Sequence, residues 1–132
     1  MDEATLLLLD VSDRILLLTS SELPAMKNTK LFLHVAEMLN YKPDKTLLVI
    51  NQHNPKGRVA PKDIETSIKH PVFAVIERDD NATAQAVQTG QPFVIHQKST
   101  GISQGLYRLA GLLSSVNSAA LRTPRKRGLF GH

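Results

Sequence analysis

The chain has 132 residues, of which 42% are apolar and 21% charged, and it contains no cysteine. This length predicts one domain with a single core, and the lack of cysteine excludes disulfides and thiolate metal sites. The net charge of +4 comes from the end of the chain, where Arg122, Arg125, Lys126 and Arg127 follow Leu121 without any acidic residue. The body before them carries as many acidic as basic residues, so its composition does not indicate binding to nucleic acid.

The apolar runs are too short to cross a bilayer. Residues 6–9 and 15–18 are four residues each, whereas a membrane span needs about 20. Asp2 and Glu3 stand where a secretory signal would carry positive charge. We therefore expect a cytoplasmic protein, with the basic end offering a peripheral contact to the inner membrane.

Three continuous apolar segments are typical of parallel β-strands that are buried on both faces. They are residues 14–19, 46–51 and 71–76, and residues 93–95 are a candidate for a last short strand. The segments between the first three are long enough for a crossover helix with loops, so each connection is predicted to be a right-handed βαβ unit. The sequence therefore predicts an α/β fold of three αβα layers with three to four strands.

Helices are predicted between these strands. The first is amphipathic, with apolar residues at helical spacing at Phe32, Val35, Ala36 and Leu39. A second begins near Pro61, where a first helical turn tolerates proline. Residues 6–9 are predicted as a helix or a strand that leads into the first clear strand.

Capping residues indicate two further helices. Asp79 or Asp80 can cap one of them, and Gly90 can end it. Ser99 or Thr100 can cap the other, which has the longest apolar stripe in the chain: Ile102, Leu106, Leu109, Ala110, Leu113 and Val116. Pro124 and Gly128 are predicted to stop that helix.

The region 52–60, with Asn54-Pro55 and Lys56-Gly57, is predicted to be a loop at the carboxyl end of the second strand. In open α/β sheets, ligands bind at such ends. A site is therefore expected beside this loop.

Four segments, taken in order, resemble the part of MinD/ParA ATPases that follows the Walker B motif. They are residues 13–19 with Glu22, residues 47–51, residues 71–76, and Gly90-Gln91-Pro92. The resemblance runs collinearly over residues 5 to about 115 and looks closest to the CpaE/TadZ pilus-assembly branch. It implies that residues 1–121 form the C-terminal half of a Rossmann-like P-loop NTPase domain, followed by a basic flexible tail at 122–132. The implied function is part of an ATPase for pilus assembly or polar positioning.

In that family the phosphate-binding loop and the magnesium-binding acids precede this segment. The sequence contains no GxxxxGK[ST] motif, and its Lys56-Gly57 is followed by Arg58. Without loop amides and a lysine to hold the β- and γ-phosphates, tight triphosphate binding has no physical basis. We therefore expect this chain to be no enzyme and to hold no cofactor by itself, and expect ATP and Mg²⁺ only for the intact parent protein.

The resemblance also implies where an adenine base would be recognised. Asn51 matches the family asparagine whose amide hydrogen-bonds the adenine edge, although an asparagine there could also simply turn the chain after a strand. Ile76, Glu77 and Asp79 match the second adenine-contact stretch, which in the family is usually Ile-Pro-x-Asp. Glu77 stands here in place of the proline.

Other polar groups are interpreted as structural. His34, His53, His70 and His96 lack metal-ligand spacing, so no metal site is expected. The pair Asp79-Asp80 is more typical of a helix cap than of catalytic carboxylates. The lysines that could face DNA are interpreted as a solvated face without specific nucleic-acid binding: Lys27, Lys30, Lys42 and Lys45.

The expected partners follow from the same resemblance. The strand that begins at Arg14 and ends at Thr19 would lie beside the missing phosphate-loop strand, so we expect self-association through this edge. Partner proteins of a positioning or pilus system are also implied. The tail at 122–132 could contact an anionic membrane or serve only to keep the protein in solution.

Two alternative functions remain open from the sequence. One is a standalone, degenerate protein-interaction module without nucleotide chemistry. The other is a receiver-like domain, which ranks last because Asp10 and Asp13 precede the first clear strand.

Overall fold

The structure, a computed structural model, describes residues 2–127, and it describes side chains for residues 2–115. The chain divides into two compact units at the bond between Arg78 and Asp79. The elements of the first unit are α1 (Glu3–Val11), β1 (Ile15–Thr19), α2 (Leu23–Met38), a short 3-10 helix (Pro43–Lys45), β2 (Thr46–His53), α3 (Pro61–Ile68) and β3 (Val72–Glu77).

The three strands form a parallel sheet in the order β1-β2-β3. Ile15 of β1 lies opposite Thr46, and Leu48 of β2 lies opposite Val72. Because β2 is paired on both sides, its central residues from Leu48 to Ile50 are fully buried. The predicted α/β class and the parallel strands are confirmed.

The core of this unit lies on the sheet face that α2 and α3 cover. Ile64 and Ile68 are four residues apart on α3, so they project from the same side of the helix onto Leu48 and Ile50. Met26 and Leu33 of α2 pack against the same cluster. Burying each large aliphatic side chain stabilises the fold by about 1.5–3 kcal/mol.

The end of α3 is fixed by its own polar residues. Lys69 adopts a left-handed conformation with φ of 63° and ends the helix. Immediately after it, the Nε2 of His70 lies 2.8 Å from the carbonyl oxygen of Thr46. Since a carbonyl only accepts, His70 donates this hydrogen bond, which joins the loop after α3 to the first residue of β2.

Residues 6–9 belong to a helix rather than to a strand. The Asp2 carboxylate accepts a hydrogen bond of 2.8 Å from the Thr5 N–H and so caps α1. No residue of α1 is buried. The helix is held at its far end by Asp10, whose carboxylate accepts from the Tyr41 hydroxyl and whose carbonyl lies 3.3 Å from Lys45 Nζ.

β1 is an edge strand in the part of the chain that the structure describes. Ile15 and Thr19 are buried, whereas Leu16 and Leu18 are 44% and 56% exposed. Successive residues of a strand point to opposite faces. The two exposed leucines therefore share the face opposite Leu17, which packs on the core beneath α2 and α3.

The second unit contains α4 (Asp80–Thr89), α5 (Phe93–His96) and α6 (Gly101–Arg127). Asp79 caps α4 by accepting a hydrogen bond of 2.9 Å from the Ala82 N–H, and Gly90 ends it in a left-handed conformation. Both features agree with the sequence-based prediction.

The prediction of a strand at residues 93–95 is wrong, because these residues begin α5. The N–H groups of Ile95 and His96 bond to the carbonyl of Pro92, and that of Gln97 bonds to Phe93 at 2.7 Å. A short apolar run fits either a helix or a strand by pattern alone. Here local bonds satisfy the backbone, so no neighbouring strand is required.

The prediction that Pro124 stops the last helix is also wrong, because α6 continues to Arg127. A proline inside a helix removes one backbone hydrogen bond, and the residues beyond it can still bond within the helix. Gly128 and the rest of the tail lie outside the described residues, so membrane contact by the tail and the division at residue 121 stay predictions. None of the helices in the described range is long and apolar enough to cross a membrane.

Candidate functional site

The candidate site lies at the carboxyl ends of β2 and β3, where the sheet of the first unit opens to solvent. Asn51 lies within β2, two positions before the strand ends at His53. Its side chain is half-buried and makes no hydrogen bond to any residue that the structure describes. Asn51 thus lies inside the strand and not in the turn after it, and its contact with a base stays a prediction.

Gln52, which follows Asn51, has an unusual backbone. Its φ of 55° is left-handed, and the register between β2 and β3 shifts between Ile50 and His53. Only a few per cent of residues other than glycine adopt positive φ, and such positions cluster at functional sites. Glutamine carries no sequence signal for this conformation, so the bulge was not predictable from the sequence.

The loop after β2 starts later than predicted, at Asn54. The Asn54 side chain accepts a hydrogen bond of 3.0 Å from the Lys56 N–H, and its carbonyl accepts one of 3.0 Å from Gly57. A Cβ at position 57 would lie 3.2 Å from that carbonyl. The turn is thus fixed locally and keeps the chain close to the end of β2.

Ile76 and Glu77 end β3 next to this bulge. Ile76 is buried, so only its backbone is available to a ligand. Glu77 is half-buried and lies opposite His53, and the N–H of the following residue, Arg78, donates a hydrogen bond of 2.9 Å to the His53 carbonyl. The sheet therefore brings Asn51, Ile76 and Glu77 to the same end of two neighbouring strands.

Asp79 has a different role from the other three predicted site residues. It belongs to the second unit, where its carboxylate caps α4. The cap occupies one carboxylate oxygen, which agrees with the structural interpretation of the Asp79-Asp80 pair. Contact between Asp79 and a base stays a prediction.

Within residues 2–115, no group of three or more histidine, aspartate or glutamate side chains is placed to hold a metal ion. His70 instead has the structural contact with Thr46 described above. The site at the end of β2 offers an amide, a backbone bulge and one carboxylate. This arrangement suits hydrogen bonding to a planar polar group.

No protein-family model and no curated protein matches the chain. Solved structures do match, and the chain spans less than half the length of each one named below. A ParA family ATPase from Chlorobium tepidum aligns with a TM-score of 0.73 at 17% identity, covering 83% of this chain and 45% of that one. The MinC:MinD cell division protein complex of Aquifex aeolicus aligns with a TM-score of 0.67 at 16% identity, over 84% and 48%.

A third match is the septum site-determining protein MinD of Pyrococcus horikoshii, complexed with Mg-ADP. It aligns with a TM-score of 0.62 at 19% identity, over 83% of this chain and 43% of that one. At such low sequence identity, the similarity shows that the backbones share a fold and nothing more. The chain therefore has the fold of the ParA and MinD ATPases, over a portion that spans somewhat less than half of their length.

Proposed function

We propose that this chain is the C-terminal portion of a MinD/ParA-like ATPase of the CpaE/TadZ kind, which acts in pilus assembly or polar positioning. In this proposal the chain supplies the surface that recognises the base, and the phosphate-binding loop lies outside these 132 residues. The observation that carries the proposal is the Asn51 amide at the carboxyl end of β2, which has no hydrogen-bond partner among the described residues, within a fold shared with ATPases.

An asparagine amide suits adenine because it has one donor and one acceptor in the same plane. Adenine presents the complementary pair, the N6 amino group and a ring nitrogen. Asn51 is half-buried, so hydrogen bonds between its amide and a ligand contribute more binding free energy than those of a fully solvated amide would. Glu77, at the end of the neighbouring strand β3, would accept from the amino group, and the backbone of Ile76 offers further polar atoms.

The phosphates would be held by the rest of the protein. The MinD of Pyrococcus horikoshii was solved with Mg-ADP, and the proposed parent would bind ATP and Mg²⁺ in the same general manner. The 132 residues by themselves have no glycine-rich loop with a lysine. They are therefore expected neither to bind ATP with micromolar affinity nor to hydrolyse it.

Partner proteins are part of the proposal. One of the similar structures is a complex of MinD with MinC, so a partner protein of a positioning or pilus system is a reasonable expectation for the parent of this chain. The exposed Leu16 and Leu18 on the edge strand are candidate contacts.

The test begins with the gene. The open reading frame upstream of the codon for Asp2 should encode a glycine-rich phosphate loop. In the natural full-length product, Asn51→Ala should weaken ATP binding about tenfold by loss of two hydrogen bonds. It should also reduce the preference for ATP over GTP. Asn28→Ala, which changes an exposed asparagine on α2, is the matched control and should change neither.

Two results would contradict the proposal. Micromolar ATP affinity of the 132 residues, measured by calorimetry, would show that the phosphates need no further segment. Equal ATP affinities of the Asn51→Ala and Asn28→Ala proteins would remove Asn51 from the site. A reading frame without a phosphate loop would instead favour the alternative, a standalone interaction module that uses Leu16 and Leu18.

A further inference from the structure

A cavity of about 360 Å³ opens at the other end of the sheet, where the strands begin. It lies between the last turns of α2, the segment that leads into β2, and the end of α3. Its volume falls in the range of small-molecule sites. Thr46, the first residue of β2, lines it, whereas Asn51 lies towards the far end of the same strand. The cavity is therefore separate from the proposed base-recognition surface.

The cavity is lined by more basic than acidic side chains. The acidic and basic residues that line it, apart from the Tyr41 phenol, are Lys30, His34, Glu37, Lys42, Lys69 and His70. Lys62 forms an ion pair with Glu65, and none of the three lysines that line the cavity is paired with a carboxylate among the described residues. The three lysines carry three positive charges and Glu37 carries one negative charge. The lining therefore has an excess of two positive charges, which a bound anion can neutralise.

The kind of basic group indicates which anion fits. No arginine is among the described residues that line the cavity. The planar fork of arginine matches carboxylate and phosphate alike, whereas lysine binds an anion as a compact point charge, so the charge of the anion decides the match here. A phosphate monoester carries about −1.5 to −2 charges at neutral pH. This charge balances the excess of the cavity better than a single carboxylate would.

His70 is positioned to add a directed contact. Its Nε2 donates to the Thr46 carbonyl at 2.8 Å, which fixes the ring orientation. The other ring nitrogen, Nδ1, has no hydrogen-bond partner among the described residues. Because Nε2 carries the proton of the neutral ring, Nδ1 accepts, and its match is the P–OH group of a singly protonated phosphate monoester.

A second cavity of about 350 Å³ adjoins the first and shares Pro43, Thr46 and His70 with it. Its remaining lining is apolar except for Asp44: Leu47, Pro71, Val72 and Phe73. Asp44 would repel a phosphate from this second space. A ligand that spans both cavities would thus place its charge in the first and its apolar part in the second.

We propose that the basic cavity binds the phosphate group of a small phosphate monoester, and that the organic part of this ligand contacts the adjoining apolar cavity. Neither the adenine surface nor the missing phosphate loop takes part in this binding. The proposal is therefore independent of the function proposed above.

Calorimetric titration of the 132-residue protein tests the proposal with three probes: phenyl phosphate, inorganic phosphate and benzoate. Phenyl phosphate should bind most tightly, because it fills both cavities. Inorganic phosphate should bind about tenfold more weakly, since it lacks the apolar contact. Benzoate should bind more weakly than phenyl phosphate, as it has a single charge.

Matched variants assign the site. Lys30→Gln and Lys42→Gln should each weaken phenyl phosphate binding about tenfold. Lys27→Gln removes an exposed lysine from the same helix as Lys30 and should leave the affinity unchanged, as should Asn51→Ala at the far end of the sheet. Equal urea midpoints for all variants would show that the fold is intact.

Three results would overturn the proposal. The first is equal affinity of the Lys42→Gln and Lys27→Gln proteins for phenyl phosphate. The second is that benzoate binds as tightly as phenyl phosphate. The third is that a DNA duplex binds and phenyl phosphate does not. That third result would assign these lysines to the binding of an extended polyanion.

Discussion

The carboxylate of Glu65 on α3 accepts a hydrogen bond of 2.8 Å from the backbone N–H of Val72, the first residue of β3. The other carboxylate oxygen lies 3.0 Å from the ammonium of Lys62. One side chain thus joins a helix to the strand that follows it. The Val72 N–H, and after it Lys62, lower the pKa of Glu65 below its ordinary value of 4.5.

This contact predicts a loss of stability in acid. A carboxyl whose pKa is lower in the folded state stabilises the fold above its ordinary pKa, and this contribution disappears as the pH falls through the lowered folded value. Glu65→Gln should therefore lower the urea midpoint at pH 7 and have a smaller effect near pH 3. Glu37→Gln, which alters an exposed carboxyl on α2, should change the urea midpoint at pH 7 little. A Glu65→Gln effect that is the same at both pH values would contradict the prediction.

The core of the first unit should be sensitive to loss of volume at Ile64. This side chain is fully buried against Leu48 and Ile50. Ile64→Ala should destabilise the protein by about 2–5 kcal/mol, and Ile64→Val by about 0.5–1.5 kcal/mol, measured by urea unfolding. Leu31→Ala, at an exposed position on α2, should change stability by no more than about 0.5 kcal/mol. Similar values for Ile64→Ala and Leu31→Ala would show that the packing of α3 is not as described.

The same substitution at two glycines should have opposite effects. Gly90 has a φ of 69°, which strains any residue with a Cβ, so Gly90→Ala should destabilise by about 1–2 kcal/mol. Gly111 lies inside α6, and a Cβ built there meets no atom within 4 Å. Gly111→Ala should therefore stabilise by about 0.5–1 kcal/mol through the better helix propensity of alanine. Thermal unfolding of both variants checks the signs, and a shift in the same direction would refute the comparison.

The edge strand predicts self-association. Backbone groups on the outer side of β1 face no strand in the described part of the chain, and Leu16 and Leu18 lie exposed beside them. Such edges pair with other chains, and a lysine on the edge prevents this. Sedimentation at increasing concentration should show a dimer that Leu18→Lys dissociates. Leu31→Lys, at a comparably exposed leucine on α2, should leave it intact. A monomer at all concentrations would contradict the prediction.

The strands were predictable because their apolar runs are continuous, and each observed boundary lies within two residues of the predicted one. The largest shift is at β2, which continues to His53 through the bulge at Gln52. The residue type at position 52 does not indicate a left-handed backbone, so the bulge could not be predicted from the sequence. At Phe93, by contrast, the run was too short for its pattern to decide between strand and helix.

The candidate site was only partly predictable. The position of Asn51 follows from the strand pattern and the family resemblance. That its amide has no hydrogen-bond partner among residues 2–115 depends on which side chains the folded sheet brings near it. The cavity at the start of β2 was not predicted at all. It is formed by residues from α2, from the segment before β2 and from the end of α3, and their proximity depends on tertiary contacts such as that between His70 and Thr46.

The order of the strands bears on how the first unit is made on the ribosome. Ile15 pairs with Thr46, and Leu48 pairs with Val72, so β2 and β3 each pair with the strand that was synthesised just before them. Domains generally fold from the N-terminus as the nascent chain emerges. β1 and β2 can therefore pair before β3 leaves the exit tunnel. β3 then adds to the free edge of β2 in a strand pair that has already formed.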